Sequence, residues 1–184
     1  MNKFLIASLG AMLAATPAFA ADSDNESFDI NANVAETCTM EGISDVDLGT
    51  LSINTTAGSN ALFINNTSDE DTNQFWVSCN ESNRMLIDAD LGVLKNTTRT
   101  LQAGDDAGFK DTINYSVYAL NYLNNSTSSP GHSSANGSFG QNTTRGAIHR
   151  QVELRARVRA NENTDARPLA GEYQDTVTVT VTTI

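Results

Sequence analysis

The residues able to do chemistry in this 184-residue chain are few and far apart. Cys38 and Cys79 are its two cysteines, and His132 and His149 its two histidines. A metal site needs more ligands than two distant thiolates and two scattered imidazoles supply, and a redox pair would show C-x-x-C spacing, which is absent. Ser133 and Ser134 follow His132, yet they lack a defined acid partner and the strand-turn-helix setting of a hydrolase nucleophile. Asp105 and Asp106, between Gly104 and Gly108, lack the spaced oxygen ligands and bidentate Glu of an EF-hand loop and read as a solvated turn. The row Arg155, Arg157 and Arg159 admits an anion or polysaccharide site. In so acidic a chain, solvation or cross-strand pairing with acids is the better reading. No catalytic, cofactor or metal site is therefore expected, and the protein is not read as an enzyme. The chemistry that Cys38 and Cys79 do support in an exported protein is a disulfide. Closing a loop of about 40 residues would stabilise the fold by ~4 kcal/mol through entropy removed from the unfolded chain.

Export is what the N-terminus indicates. Lys3 gives a short positive region, residues 4–15 an apolar run, and Ala18-Phe19-Ala20 a small-x-small cleavage site, so residues 1–20 read as a signal peptide. That run is too short to span a bilayer, and nothing later is apolar enough, so no membrane span is expected in the mature chain. Without residues 1–20, 10 basic residues stand against 22 acidic ones, a net charge of −12. Nucleic acid and anionic membrane are thereby disfavoured as partners, since both require positive charge. Three prolines and abundant Asn, Thr and Ser suit many short strands joined by polar turns.

The elements that must position these residues read as strands. At the C-terminus Val177, Val179 and Val181 alternate with Thr176, Thr178, Thr180 and Thr182, the two-residue period of a half-buried strand. Phe28, Ile30, Ala32 and Val34 alternate with polar residues in the same way. Pattern alone fits either the first strand of the domain's own sheet or a strand that leaves its domain to complete a neighbour. Residues 54–73 read as a loop with one brief strand at 61–64. Phe75, Val77 and Cys79 share a face opposite Trp76, and Met85, Ile87, Ala89 and Leu91 share one a strand later, which suggests an antiparallel pair. A short strand is expected at 99–101, a strand over 112–122 with Ile113, Tyr115, Val117 and Ala119 inward, and a long polar loop over 124–146. A strand over 147–160 has Ile148, Val152, Leu154, Ala156 and Val158 inward, with Arg150 interrupting that face. About seven strand candidates, with no convincing amphipathic helix, predict an all-β sandwich.

The ending Gly171-x-Tyr173-x-Asp175-Thr176-Val177-x-Val179-Thr180-Val181 resembles that of the spore coat protein U domain family, which includes subunits of archaic chaperone-usher pili. The placement of Cys38 and Cys79, the step Asp47-Leu48-Gly49-Thr50-Leu51 and the segment Ile113-x-Tyr115-Ser116-Val117-Tyr118 are similar to that family as well. Leu48 stands where the family has Phe, Ile184 where an aromatic is frequent, and the 124–146 insertion is long. The resemblance implies a pilin-type immunoglobulin-like sandwich over 35–184 that lacks one core strand. Its groove would lie beside the C-terminal strand and be lined by Val177, Val179 and Val181. A periplasmic chaperone strand would fill it first, and the donor segment 21–34 of a neighbouring copy would replace that strand through Phe28, Ile30, Ala32 and Val34. It implies a homopolymeric surface pilus exported through the periplasm and an outer-membrane usher, serving adhesion or biofilm formation. The alternatives are a non-polymerising coat or matrix protein of the same fold, or a carbohydrate-binding module using Trp76, Tyr118 and Tyr122.

Overall fold

The computed structural model describes residues 24–65, 69–123 and 129–184, so the signal peptide expected over 1–20 lies outside the described residues. The chain divides into two units, Met1–Val34 and Ala35–Ile184. In the first, the described residues 24–34 form neither helix nor strand and are exposed throughout. A lone extended segment cannot satisfy its own backbone donors and acceptors, so the apolar alternation of 28–34 produces no ladder by itself.

The second unit contains β1 (Cys38–Glu41), β2 (Asp69–Cys79), β3 (Asn83–Ala89), β4 (Leu94–Asn96), β5 (Phe109–Lys110), β6 (Thr112–Ile113) and β7 (Ser116–Leu120). It continues with β8 (Gly131–Ser133), β9 (Gly137–Phe139), β10 (Thr144–Arg145), β11 (Ile148–Val158), β12 (Arg167–Pro168), β13 (Tyr173–Gln174) and β14 (Val177–Thr183). One layer is ordered β1-β2-β11-β7-β8-β9 and the other β10-β3-β14, with two short ladders, β13-β4-β6 and β12-β5, beside them. This is the all-β sandwich that the strand pattern predicted, of the immunoglobulin-like kind that the resemblance implied. Its spine is the β2/β11 pair, in register from Ile148 opposite Cys79 to Val158 opposite Asp69. Phe75, Val77, Val152, Leu154 and Val158 from that spine, with Val117 and Ala119 of β7, bury against Met85 and Ile87 of β3. Each such side chain contributes roughly 1.5–3 kcal/mol of apolar burial.

Several connections differ from the sequence reading. β2 and β3 do not pair with each other but lie in different sheets, because the corner between them is held by a side chain instead of a hairpin ladder. Asn83 is fully buried, donates to the carbonyls of Glu81 and Gly146 at 2.9 Å each, and accepts the Tyr122 hydroxyl at 2.6 Å. β3 ends at Ala89, so Leu91 is exposed instead of sharing the inward face. The strand expected over 112–122 is interrupted after Ile113, where Asn163 accepts from the Asn114 backbone N–H and donates to its carbonyl, and the chain passes from the β4 ladder to the β11 ladder. Asn121, at φ 65°, then breaks the alternation and turns the Tyr122 side chain into the core. Residues 99–101 form no strand, and residues 61–64 supply only an isolated bridge from Ile64 to Ile53. The polar 124–146 stretch, by contrast, contains β8, β9 and β10, with Pro130 and His132 buried. Small residues permit this: a Cβ on Gly131 would lie 2.5 Å from the Val117 carbonyl oxygen.

Gly171, at φ 145°, approaches the corner built by Asn96, whose amide serves Thr98, Arg99 and Ala170. A Cβ there would lie 2.3 Å from Thr98 Oγ1. Gly171→Ala should cost well over about 1 kcal/mol, visible as a drop in Tm of roughly 2–4 °C for each kcal/mol lost.

Buried phenols should limit stability at alkaline pH. Burial pushes the Tyr122 phenol up to about 12, opposed only in part by Arg145. Burial and then Asp175 raise Tyr115, and burial raises Tyr173. The unfolded chain releases these protons from about pH 10 while the folded chain keeps them, so this contribution is complete below about pH 10 and declines toward about pH 12. Each fully buried phenol removes roughly 1.4 kcal/mol per pH unit in that window. Thermal melts across pH 8–12 should show a plateau and then a steep fall, shallower in Tyr122→Phe.

Candidate functional site

The final strand is built from Val and Thr, whose branched side chains suit an extended backbone, and it pairs with β3 in register from Val177 opposite Ala89 to Thr183 opposite Asn83. Among the described residues β14 has no partner on its other side. Its outward-facing threonines at 178, 180 and 182 are exposed, as expected. Its inward valines differ from those of the rest of the core: Val177, Val179 and Val181 are only half-buried, whereas Phe75, Val77, Met85 and Ile87 are wholly enclosed. A face that alternates correctly yet stays half wet is a face with something uncovered beside it.

What lies beside it is an open cleft of about 460 Å³, within the roughly 300–1,000 Å³ range of binding clefts. Val177 and Val179 line it from β14, Leu154 and Ala156 from β11, Val117 from β7, and Tyr115 and Leu94 from the adjoining segments. The opposite wall is the irregular stretch 43–48, which contributes Ile43, Val46 and Leu48. The last of these precedes Gly49, whose φ of 64° turns the chain away, so the apolar-Gly step marks a real corner. Val181 shares the valine face but lies outside the cleft lining. The resemblance implied a groove lined by Val177, Val179 and Val181; two of these line the cleft, whose wall at 43–48 and floor at Leu94, Leu154 and Ala156 were not anticipated. Only the paired alternation of β11 hinted at the floor.

Polar contacts keep the cleft's end in shape. The Tyr115 hydroxyl donates to Asp175 Oδ2 at 2.8 Å, and Asp175 Oδ1 accepts from the backbone N–H groups of Leu91 and Thr176. This carboxylate therefore ties the start of β14 to the opposite layer. Among the described residues β1 is an edge strand paired with β2 alone, and Cys38 is bonded to Cys79 directly across that pair. The disulfide expected from sequence is present and fixes β1 to the spine of the core.

Three residues of the alternating N-terminal segment are the most exposed large apolar groups in the described chain: Phe28, Ile30 and Val34 stand 83%, 84% and 81% exposed, and Ala32 is exposed as well. The three aromatic residues of a carbohydrate platform, in contrast, are not brought together. Tyr122 is wholly buried, Tyr118 is covered by Arg157 at 4.4 Å and Phe139 at 5.5 Å, and Trp76 stacks on His149 at 4.9 Å. Two arginines of the row are likewise occupied internally, Arg155 by Glu153 and Arg157 by Tyr118 and Ser116. No group of three or more His, Cys, Asp or Glu placed to hold a metal occurs among the described residues, and no helix among them is long and apolar enough to cross a membrane.

No curated protein matches the chain. A family model does, that of the Spore Coat Protein U domain, and it runs over residues 24–180, taking in the exposed apolar segment, both cysteines and most of the last strand. With most of its length matched and the sandwich, the bonded cysteine pair and the terminal Val/Thr strand in place, the chain belongs to the Spore Coat Protein U domain family, whose members are pilus- and coat-type surface proteins.

Proposed function

We propose that this protein is the structural subunit of an exported surface pilus, polymerised by donor-strand complementation after passage through the periplasm with a chaperone and an outer-membrane usher. The observation that carries this reading is the half-buried valine face of β14 next to an apolar cleft, in a chain that also exposes a strand-like apolar segment. The two are matched in length. Residues 28–34 and β14 both comprise seven residues, about 20 Å when extended. β-augmentation would supply the unpaired edge of β14 with ladder bonds, and Phe28, Ile30, Ala32 and Val34 would enter the cleft. Their burial would contribute very roughly 5–9 kcal/mol, enough for a slow-dissociating polymer. Adhesion and biofilm support follow as roles of such a fibre.

Deleting residues 21–33 tests the reading. The truncated chain should be recovered as a monomer bound to a chaperone and should form no heat-resistant multimers, whereas the intact chain should give a ladder of them on a non-boiled gel. Multimers of unchanged abundance from the truncated chain would reject donor-strand assembly through this segment, and no multimers from the intact chain would leave a non-polymerising coat protein of the same fold.

A further inference from the structure

The charge around the cleft bears on how one copy can join another, and this inference rests on the donor-strand reading above. Asp45 and Asp175 line the cleft, and no Lys or Arg is among its lining residues. Asp47 adjoins Asp45, and its backbone N–H donates to Asp71 Oδ2 at 3.1 Å, which brings a further carboxylate to the same wall. The segment that would enter is acidic too: residues 24–34 contain Asp24, Glu26 and Asp29 and no cation. Segment and rim therefore carry charge of the same sign, against a background formal charge of −11 on each whole chain.

We propose that the groove's acidic rim electrostatically opposes insertion of a second copy's residues 24–34, so that joining between copies is slow at low ionic strength and is accelerated by salt. Like-charged partners meet more slowly because their fields repel before contact, while the apolar burial that holds the docked strand is little affected. The effect therefore falls on the association rate and leaves dissociation nearly unchanged. At about 10 mM salt the screening length is ~30 Å, longer than the groove, and it contracts to less than 10 Å above about 0.15 M. A donor strand from another protein with the same apolar alternation and lysines or arginines on its polar face would enter faster than the chain's own segment.

The test uses the full mature chain carrying Phe28→Asn and Ile30→Asn, which can accept a strand but not donate one. Two labelled peptides covering residues 24–34 are added, one natural and one with Asp24→Asn, Glu26→Gln and Asp29→Asn. Fluorescence anisotropy then follows binding at about 10 mM and about 0.3 M salt. The natural peptide's association rate should rise about tenfold with salt, and the neutral peptide should bind at low salt about as fast as the natural one does at high salt. In the acceptor, Asp45→Asn, a change at an exposed residue, should speed the natural peptide at low salt by about twofold or more. Equal, salt-independent rates for both peptides would overturn the electrostatic barrier while leaving strand donation intact. If neither peptide bound at either salt, donation itself would fail, and this inference with it.

Discussion

Ile30→Asp should abolish heat-resistant multimers while leaving the folded domain intact. Ile30 is 84% exposed within its own chain, so a carboxylate there costs the subunit almost nothing. Seated in a neighbour's cleft, the same carboxylate would forfeit roughly 1.5–3 kcal/mol of apolar burial and add the cost of placing an unpaired charge among Leu, Val and Tyr side chains. A combined loss above about 4 kcal/mol corresponds to at least about a thousandfold weaker docking. Circular dichroism and the melting temperature of the monomer should match those of the unchanged chain, while the gel ladder disappears. Ala32→Asp at the small central position should act in the same direction. If the ladder survived Ile30→Asp, the segment 28–34 would not be the donor.

Cys38→Ser should be the most damaging single change to the domain itself. The bond closes a loop with a sequence separation of 41, and opening it returns about 4 kcal/mol of chain entropy to the unfolded state. That is a large share of the ~5–15 kcal/mol by which a domain is stable. The loss also has a place in the structure. β1 is short, mostly exposed and, among the described residues, laddered to β2 alone, so without the bond it is the first strand expected to detach. Detachment would unmask Val77 and Cys79 and widen the gap facing β14. The expected result is a chain recovered in low yield, with Tm lowered by roughly 8–16 °C, and a similar loss in the unchanged chain after reduction. Cys79→Ser should match it, and the double substitution should be no worse than either alone, because both singles remove the same bond.

Much of the fold could be read from residue order because the signals were local. Alternation in 75–79, 83–89, 148–158 and 177–183 reports which side chains face inward, since a strand has a period of two wherever its partner lies. The bonded cysteines followed from their number and the export read from the N-terminus, and the alternation of the terminal valines marked the inward face of the last strand. The apolar segment 28–34, too, was visible as a short alternating run. Its freedom from any ladder was not.

Pairing partners were beyond the sequence, because a period of two says nothing about which edge a strand meets. β2 and β3 are neighbours in order yet belong to opposite layers, and what separates them is one buried amide, Asn83, held by Tyr122 and two carbonyls. The groove depends on the same kind of fact. Its floor gathers Leu94, Tyr115, Val117, Leu154 and Ala156 from distant parts of the chain, and its far wall is an irregular stretch with no periodicity at all. By itself the sequence determined the faces of the strands, the disulfide and the acidic charge of both segment and rim. Only the tertiary structure decided that, among the described residues, the last strand keeps one edge unpaired above an apolar cleft, because that outcome depends on which distant strands share a layer and where the neighbouring backbone stops short.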